Sequence, residues 1–270
     1  MKGFKAFGKG LVCRGKQYKE NTVFEEEKAV ICMSGMHFCE NPLDVLDYYP
    51  LIDSNGNIVE VAQIEALDEC HTNDNKKYCT KKLKIGFKLS LSAFVKAAID
   101  FAFEKSDDKV LTGDDAKLAS SGDGTQLASS GDGAKLASSG DGAKLASSGD
   151  GAKLASSGYG AKLACSGNCA KLASSGDYAQ LASSGDYAKL ASSGYGAKLA
   201  SSGYGAVIAG IGNLNTAKGK KGSWLVLAEW GYNDIERKYI PICVKTAQID
   251  GAVIKEDTFY KLENGEFKEA

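Results

Sequence analysis

The sequence predicts a mainly β protein: a central β-solenoid of nine-residue repeats, capped by an N-terminal α+β domain with a capping helix and by a small C-terminal β-domain. Three observations lead there. A Leu recurs every nine residues from Leu118 to Leu199, with Ile208 in the eleventh unit. A Gly recurs in step, from Gly122 to Gly212. The flanking segments lose this period and return to ordinary helix and strand patterns. The boundaries fall at 1–89 (α+β domain), 90–109 (capping helix), 110–214 (solenoid, eleven units from Ala116) and 215–270 (β-domain). Thr112, Gly113 and Asp114 read as the end of a degenerate earlier unit.

The repeat unit is AKLASSGDG. Nine residues is too short for a helical solenoid, whose units run to roughly 30 or more. Within the unit, Ala116, Leu118 and Ser120 alternate to one side, and Lys117, Ala119 and Ser121 to the other. The Ser-Gly-Asp-Gly that follows is turn chemistry, with Gly at positive φ and Asp bonding nearby backbone. Two such sides close an 18-residue coil, giving about five and a half coils and a body roughly 26 Å long at the usual strand spacing. Three sides per coil is the open alternative.

Several function classes fall away. The calcium-binding nonapeptide needs more glycines and a regular Asp, whereas Tyr159, Tyr195, Tyr204 and Asn168 replace the Asp here. A DNA mimic should be acidic, but residues 116–214 carry eight Lys and six Asp. An ice-binding face would not place Lys beside its small outward residues. The chain has 270 residues, 32 Gly, only 3 Pro and a net charge of −1. That composition is not a disordered linker's, and the charge gives no general attraction to nucleic acid or an acidic membrane. No apolar run reaches membrane-helix length, and no secretory signal is legible. With no export signal, the eight cysteines are expected to be reduced.

Ser90 caps a helix running to about Lys105, with Leu91, Phe94, Val95, Ala98, Ile99, Ala102 and Phe103 on one face. It precedes the array and suits its open first coil. N-terminal strands are expected near Gly3–Ala6, Val23–Phe24, Ile31–Met33, Val59–Ala66 and Lys82–Leu89. A short helix begins at Asn41, with Pro42 at its first position, and runs to about Tyr49. At the C-terminus, Ser223–Trp230, Tyr239–Lys245, Ala247–Ile254 and Thr258–Leu262 read as strands, and Asn264-Gly265 marks a hairpin turn.

The segments GFKAF, CRGKQY, SGMHFCENPLDVLDYYP and GSWLVLAEW…DTFYKLENGEF together resemble a phage- and prophage-encoded family of uncharacterised proteins. In that family an N-terminal α+β domain is followed by Ser-Gly-Asp repeats and a β-rich tail. The resemblance implies a mobile-element origin, a cytoplasmic location in the infected or lysogenic bacterial host and an accessory role, such as inhibition of a host defence system in the manner of an anti-CRISPR. It implies no catalytic residues.

The residues themselves offer little chemistry. Cys32, His37 and Cys39, with Cys70-His71 beyond, match no zinc spacing, so no metal and no cofactor is expected. A Cys–His nucleophile pair would need His37 or His71 as base. Arg14, Ser34 and Gly35 fit the layout of a degenerate ADP-ribosyltransferase-like domain, but no catalytic Glu can be placed. The variation inside the array says more. Early corners carry Asp-Gly, whereas later ones carry Tyr159, Tyr178, Tyr187, Tyr195 and Tyr204, and Tyr is enriched in binding surfaces. The sequence therefore predicts a non-enzymatic protein-binding scaffold with those five residues as the partner face, and no direct contact with nucleic acid or membrane. Homo-oligomerisation is left open. The alternatives are a small enzyme within residues 1–89 and a structural protein of a virion or surface.

Overall fold

The structure is a computed structural model that describes residues 1–53, 57–105 and 113–270. The tail of the expected helix segment (106–109), the first residues of the expected solenoid span (110–112) and hence Thr112 lie outside the described residues. The chain divides into two compact units, Met1–Phe101 and Ala102–Ala270.

The first unit is built on one antiparallel sheet. Its strands are β1 (Lys2–Phe7), β4 (Thr22–Glu25), β5 (Met36–Cys39), β6 (Glu60–Ala66), β7 (Cys70–Thr72), β8 (Lys77–Thr80) and β9 (Lys82–Leu89), in the order β4-β9-β6-β1-β5-β8-β7. A separate two-stranded hairpin, β2 (Val12–Cys13) and β3 (Lys16–Gln17), follows β1. Alternation drives the central strands: in β6, Val61, Ile64 and Ala66 are buried while Gln63 and Glu65 face solvent. Phe7, Tyr18, Met36, Phe38, Leu83 and Ile85 fill the core behind them.

The short helix is a 3₁₀ turn, Pro42–Asp47, with the Leu43 N–H donating to the Asn41 side chain at its start. The helix α1 spans Leu91–Lys105, and the Ser90 hydroxyl accepts from Ala93 N–H as expected of its cap. Its residues through Phe101 fall in the first unit, and Phe94, Val95, Ala98 and Ile99 are buried. The strand expected at Ile31–Met33 is not formed. That apolar run is a tight turn closed by a Val30–Ser34 bridge, with Cys32 at φ 63 and Gly35 at φ 85. Left-handed backbone at Cys32 and again at Gly35 cannot continue a strand, so the strand begins at Met36 instead.

The second unit is the solenoid. Twelve short strands, β10 (Lys117–Ser120) to β21 (Thr216–Lys218), alternate between two parallel sheets. Lys135 pairs with Lys153, Leu136 with Leu154 and Ser138 with Ser156. The register is therefore 18 residues, which settles two units per coil. Each sheet has six such rungs. Leu136 to Leu199, Ile208 and the unit-opening alanines Ala134 to Ala206 form one continuous core. Each fully buried Leu contributes roughly 1.5–3 kcal/mol relative to exposure.

The corners explain the rest of the unit. A Cβ on Gly158 would collide with the carbonyl of Gly140 one coil below, and the same holds at Gly140, Gly149, Gly167 and Gly185. The first corner Gly is thus required by close approach of rungs. The ninth position is left-handed, with φ 65 at Gly151 and 64 at Gly160. The Asp beside it holds the next coil: Asp141 N–H donates to Asp123 Oδ1 at 2.9 Å, and Asp150 N–H to Asp132 Oδ1 at 2.8 Å. Its carboxylate is spent on backbone rather than on a cation.

The C-terminal strands are built onto these two sheets. β22 (Trp224–Asn233) adds a parallel rung beside Val207–Gly210 and then pairs antiparallel with β23 (Lys238–Gln248). β24 (Tyr260–Glu263) joins the other sheet through Ala217 and forms a hairpin with β25 (Glu266–Glu269). Asn264 and Gly265, at φ 53 and 69, make the expected turn. The strand expected over Ala247–Ile254 ends at Gln248. Beyond it, Asp250 Oδ1 accepts from Ala252, Val253 and Ile254 N–H, which holds the segment as a loop. Leu225, Leu227, Ile249, Tyr260 and Leu262 continue the solenoid core into this region.

Candidate functional site

The five corner tyrosines are all exposed, between 37% for Tyr195 and 59% for Tyr204. They do not share one face. Because a coil takes 18 residues, corners of alternate units stack on opposite edges. Tyr159, Tyr178 and Tyr195 form one ladder, with ring centroids 5.3 and 5.4 Å apart. Tyr187 and Tyr204 form a shorter one on the other edge, at 6.0 Å and perpendicular.

Tyr178 and Tyr187 occupy the left-handed ninth position, at φ 55 and 57, where Gly stands in most units. A non-glycine residue there costs about 1–2 kcal/mol. Tyr159, Tyr195 and Tyr204 stand instead at the Asp position, where a phenol offers no carboxylate to the coil above. Ring stacking returns about 0.5–1.5 kcal/mol per pair. Cys169 is also left-handed, at φ 56, and exposed, whereas Cys165 is buried in the serine row. The neighbouring inward hydroxyls Ser147 and Ser183 are buried without a hydrogen-bond partner. A thiol therefore replaces such a hydroxyl at little cost, and burial pushes the Cys165 thiol up to about 11.

A second arrangement lies in the first unit. A cavity of about 680 Å³ is lined by residues of β1, the β2–β3 hairpin, the 30–35 turn, β5 and the 3₁₀ turn with the tyrosines after it. Three of the four sequence segments that carry the family resemblance meet here: Lys5 from GFKAF, Arg14 and Tyr18 from CRGKQY, and His37, Tyr48 and Tyr49 from the long central stretch. Lys5 is buried, and its ammonium donates to the His37 carbonyl at 2.8 Å. Burial lowers its pKa. The Cys13 thiol and Tyr49 hydroxyl share a hydrogen bond at 2.9 Å, and burial, with that bond, raises the Tyr49 phenol.

His37 is pulled down to about 4, first by burial and then by the charges of Lys5, Arg14 and Lys77. It is neutral at pH 7. Its Nε2 accepts from the Cys32 backbone N–H at 3.0 Å, while the Cys32 sulfur accepts from Lys77 Nζ at 3.1 Å. The Cys–His nucleophile pair is therefore not assembled at Cys32. His71 lies across from Cys79 in the β7–β8 pairing, and burial lifts the Cys79 thiol to about 11. Among the described residues, His, Cys, Asp and Glu nowhere gather in threes that could hold a metal ion. Arg14, Ser34 and Gly35 all line the cavity. The sequence pointed at some of its residues without revealing the cavity, because β1, the β2–β3 hairpin and β5 come together only in the fold.

No helix among the described residues is long and apolar enough to cross a membrane. No curated protein and no solved structure matches the chain. Residues 1–97 match the model of a protein family described as a domain of unknown function (DUF7666).

Proposed function

We propose that the protein is a non-enzymatic binding scaffold whose solenoid edge presents tyrosines to a protein partner. The observation that carries this reading is the placement of Tyr178 and Tyr187. Both stand in left-handed backbone, at a position that most units fill with Gly and where Cys169 and Leu214 are the other exceptions, and both rings remain in solvent. Strain of this kind persists where function requires it. The longer ladder, Tyr159, Tyr178 and Tyr195, is the principal contact, because three adjacent rings give the larger rigid amphipathic surface. The shorter edge, Tyr187 and Tyr204, is secondary. The resemblance to phage-encoded proteins makes a host defence complex the first partner to test, in the bacterial cytoplasm.

The test is affinity capture from host cells followed by mass spectrometry, with the native chain and with all five tyrosines changed to Gly. Loss of a specific partner from the folded variant supports the reading. Retention of every partner removes the corners as the site.

A further inference from the structure

The cavity of the first unit has features that the scaffold reading does not use. Its charged lining is unbalanced. Lys5, Arg14, Lys16 and Lys77 face Glu26 and Asp47, and Lys16 and Glu26 pair with each other at 2.8 Å. That leaves three cations and one carboxylate. The three cations lie close enough together that all of them act on His37. Two hold only neutral partners in the hydrogen bonds described above: Lys5 on a carbonyl, and Lys77 on a thiol and over the Tyr48 ring at 4.5 Å. The Arg14 guanidinium has no hydrogen bond or ion pair among the described residues.

The backbone at the rim is also unusual. Arg14 and Gly15, at φ 50 and 76, form the two-residue turn of the β2–β3 hairpin. Such turns favour Asn or Asp before Gly, and an arginine there is held in a strained backbone. The exposed Cys32, also in the lining, is likewise left-handed. A strained, unpaired arginine over a cavity already holding two cations makes sense if an anion completes the site.

We propose that this cavity binds a small phosphate-bearing molecule, held by Arg14 at the rim, Lys77 at the side and Lys5 on the floor. Phosphate suits the donors, because a guanidinium fork and two ammonium groups match an oxyanion with several acceptor atoms. The volume exceeds what a lone phosphate fills and lies in the range of small-molecule sites. The Tyr18, Tyr48 and Tyr49 walls give the rest of the ligand a surface. His37 stays neutral and offers no charge at pH 7.

Isothermal titration of the full chain with pyrophosphate, ADP and adenosine tests this. Pyrophosphate and ADP are expected to bind, and adenosine to bind at least tenfold more weakly than ADP. Arg14→Gly relieves the turn, so it should keep or raise the melting temperature while weakening ADP at least tenfold. Lys77→Gln should weaken it severalfold. The proposal is overturned if neither pyrophosphate nor ADP binds, if adenosine binds as well as ADP, or if both variants bind as the native chain does.

Discussion

The two units solve the problem of position in opposite ways. In the solenoid, each residue's environment repeats every 18 residues, so one rule explains a hundred positions. In the first unit, the site residues come from several strands and turns, and only the fold of the sheet with its flanking hairpin and 3₁₀ turn brings them together. A repeat makes a long surface with little chemistry, and its tyrosine substitutions fall at corners that the core does not need. A non-repeating sheet makes an enclosed space with convergent charges. The same comparison says where damage should spread. A solenoid is approximately one-dimensional, whereas a small sheet with one core fails as a whole.

The largest effect is expected at the first corner glycine. Gly158→Ala puts a methyl group into the Gly140 carbonyl, and the coils must separate. A loss of about 3 kcal/mol or more is expected from this overpacking. Gly151→Ala faces open space and loses only through its positive φ, about 1–2 kcal/mol. Urea midpoints of the two variants decide it, and equal midpoints would remove close approach as the reason for the first glycine.

Core truncation sharpens the contrast. Leu172→Ala and Phe7→Ala each remove a fully buried side chain, at about 2–5 and 3–5 kcal/mol. Hydrogen exchange should show the first loosening only nearby coils. The second should release all of β1, β5, β6 and β9 together. Uniform loss of protection along the whole solenoid after Leu172→Ala would count against the one-dimensional picture.

What was legible in the sequence follows the same division. The Leu and Gly periods imposed the strand, the corner and the stacking, and Asn264-Gly265 announced its hairpin. The number of units per coil was only partly legible, since the sequence favours two sides and leaves three open. Pairing of Lys135 with Lys153 resolves it. Ile31–Met33 read as a strand because its composition is apolar, and only the left-handed Cys32 and Gly35 show the turn. The tyrosines were found by their departure from the repeat, but their split onto two edges needed the 18-residue register. Of the cavity's cations only Arg14 stood out in the sequence, beside Ser34 and Gly35; Lys5 and Lys77 gave no signal, because they are ordinary lysines that the fold alone brings beside it.

A pH dependence should belong to the first unit. His37 falls from an ordinary 6.5 to about 4 in the folded chain. Between those values the unfolded chain binds the extra proton. Its contribution is therefore complete above pH 6.5 and is lost as pH falls toward 4. Partial exposure of the ring reduces the effect to about 1–2 kcal/mol. Denaturation followed through a first-unit probe at pH 7.5 and 4.5 should show this loss, and His37→Gln should lessen it.

The smallest effect has a sign worth measuring. Ser183→Ala removes a buried hydroxyl without a partner and should stabilise the solenoid by up to about 1 kcal/mol. Ser174→Ala, whose hydroxyl accepts from Gly176 N–H at 3.2 Å, should be neutral or slightly destabilising. A reversed order of melting temperatures would show that the two serines differ for another reason.

The claim that the tyrosine edge is the partner-binding surface is tested most directly by hydrogen exchange on the native chain in complex with its captured partner. New protection is expected in the backbone around Tyr159, Tyr178 and Tyr195, with residues 1–101 unchanged. Protection confined to residues 1–101, with the tyrosine corners exchanging as in the free chain, would contradict it.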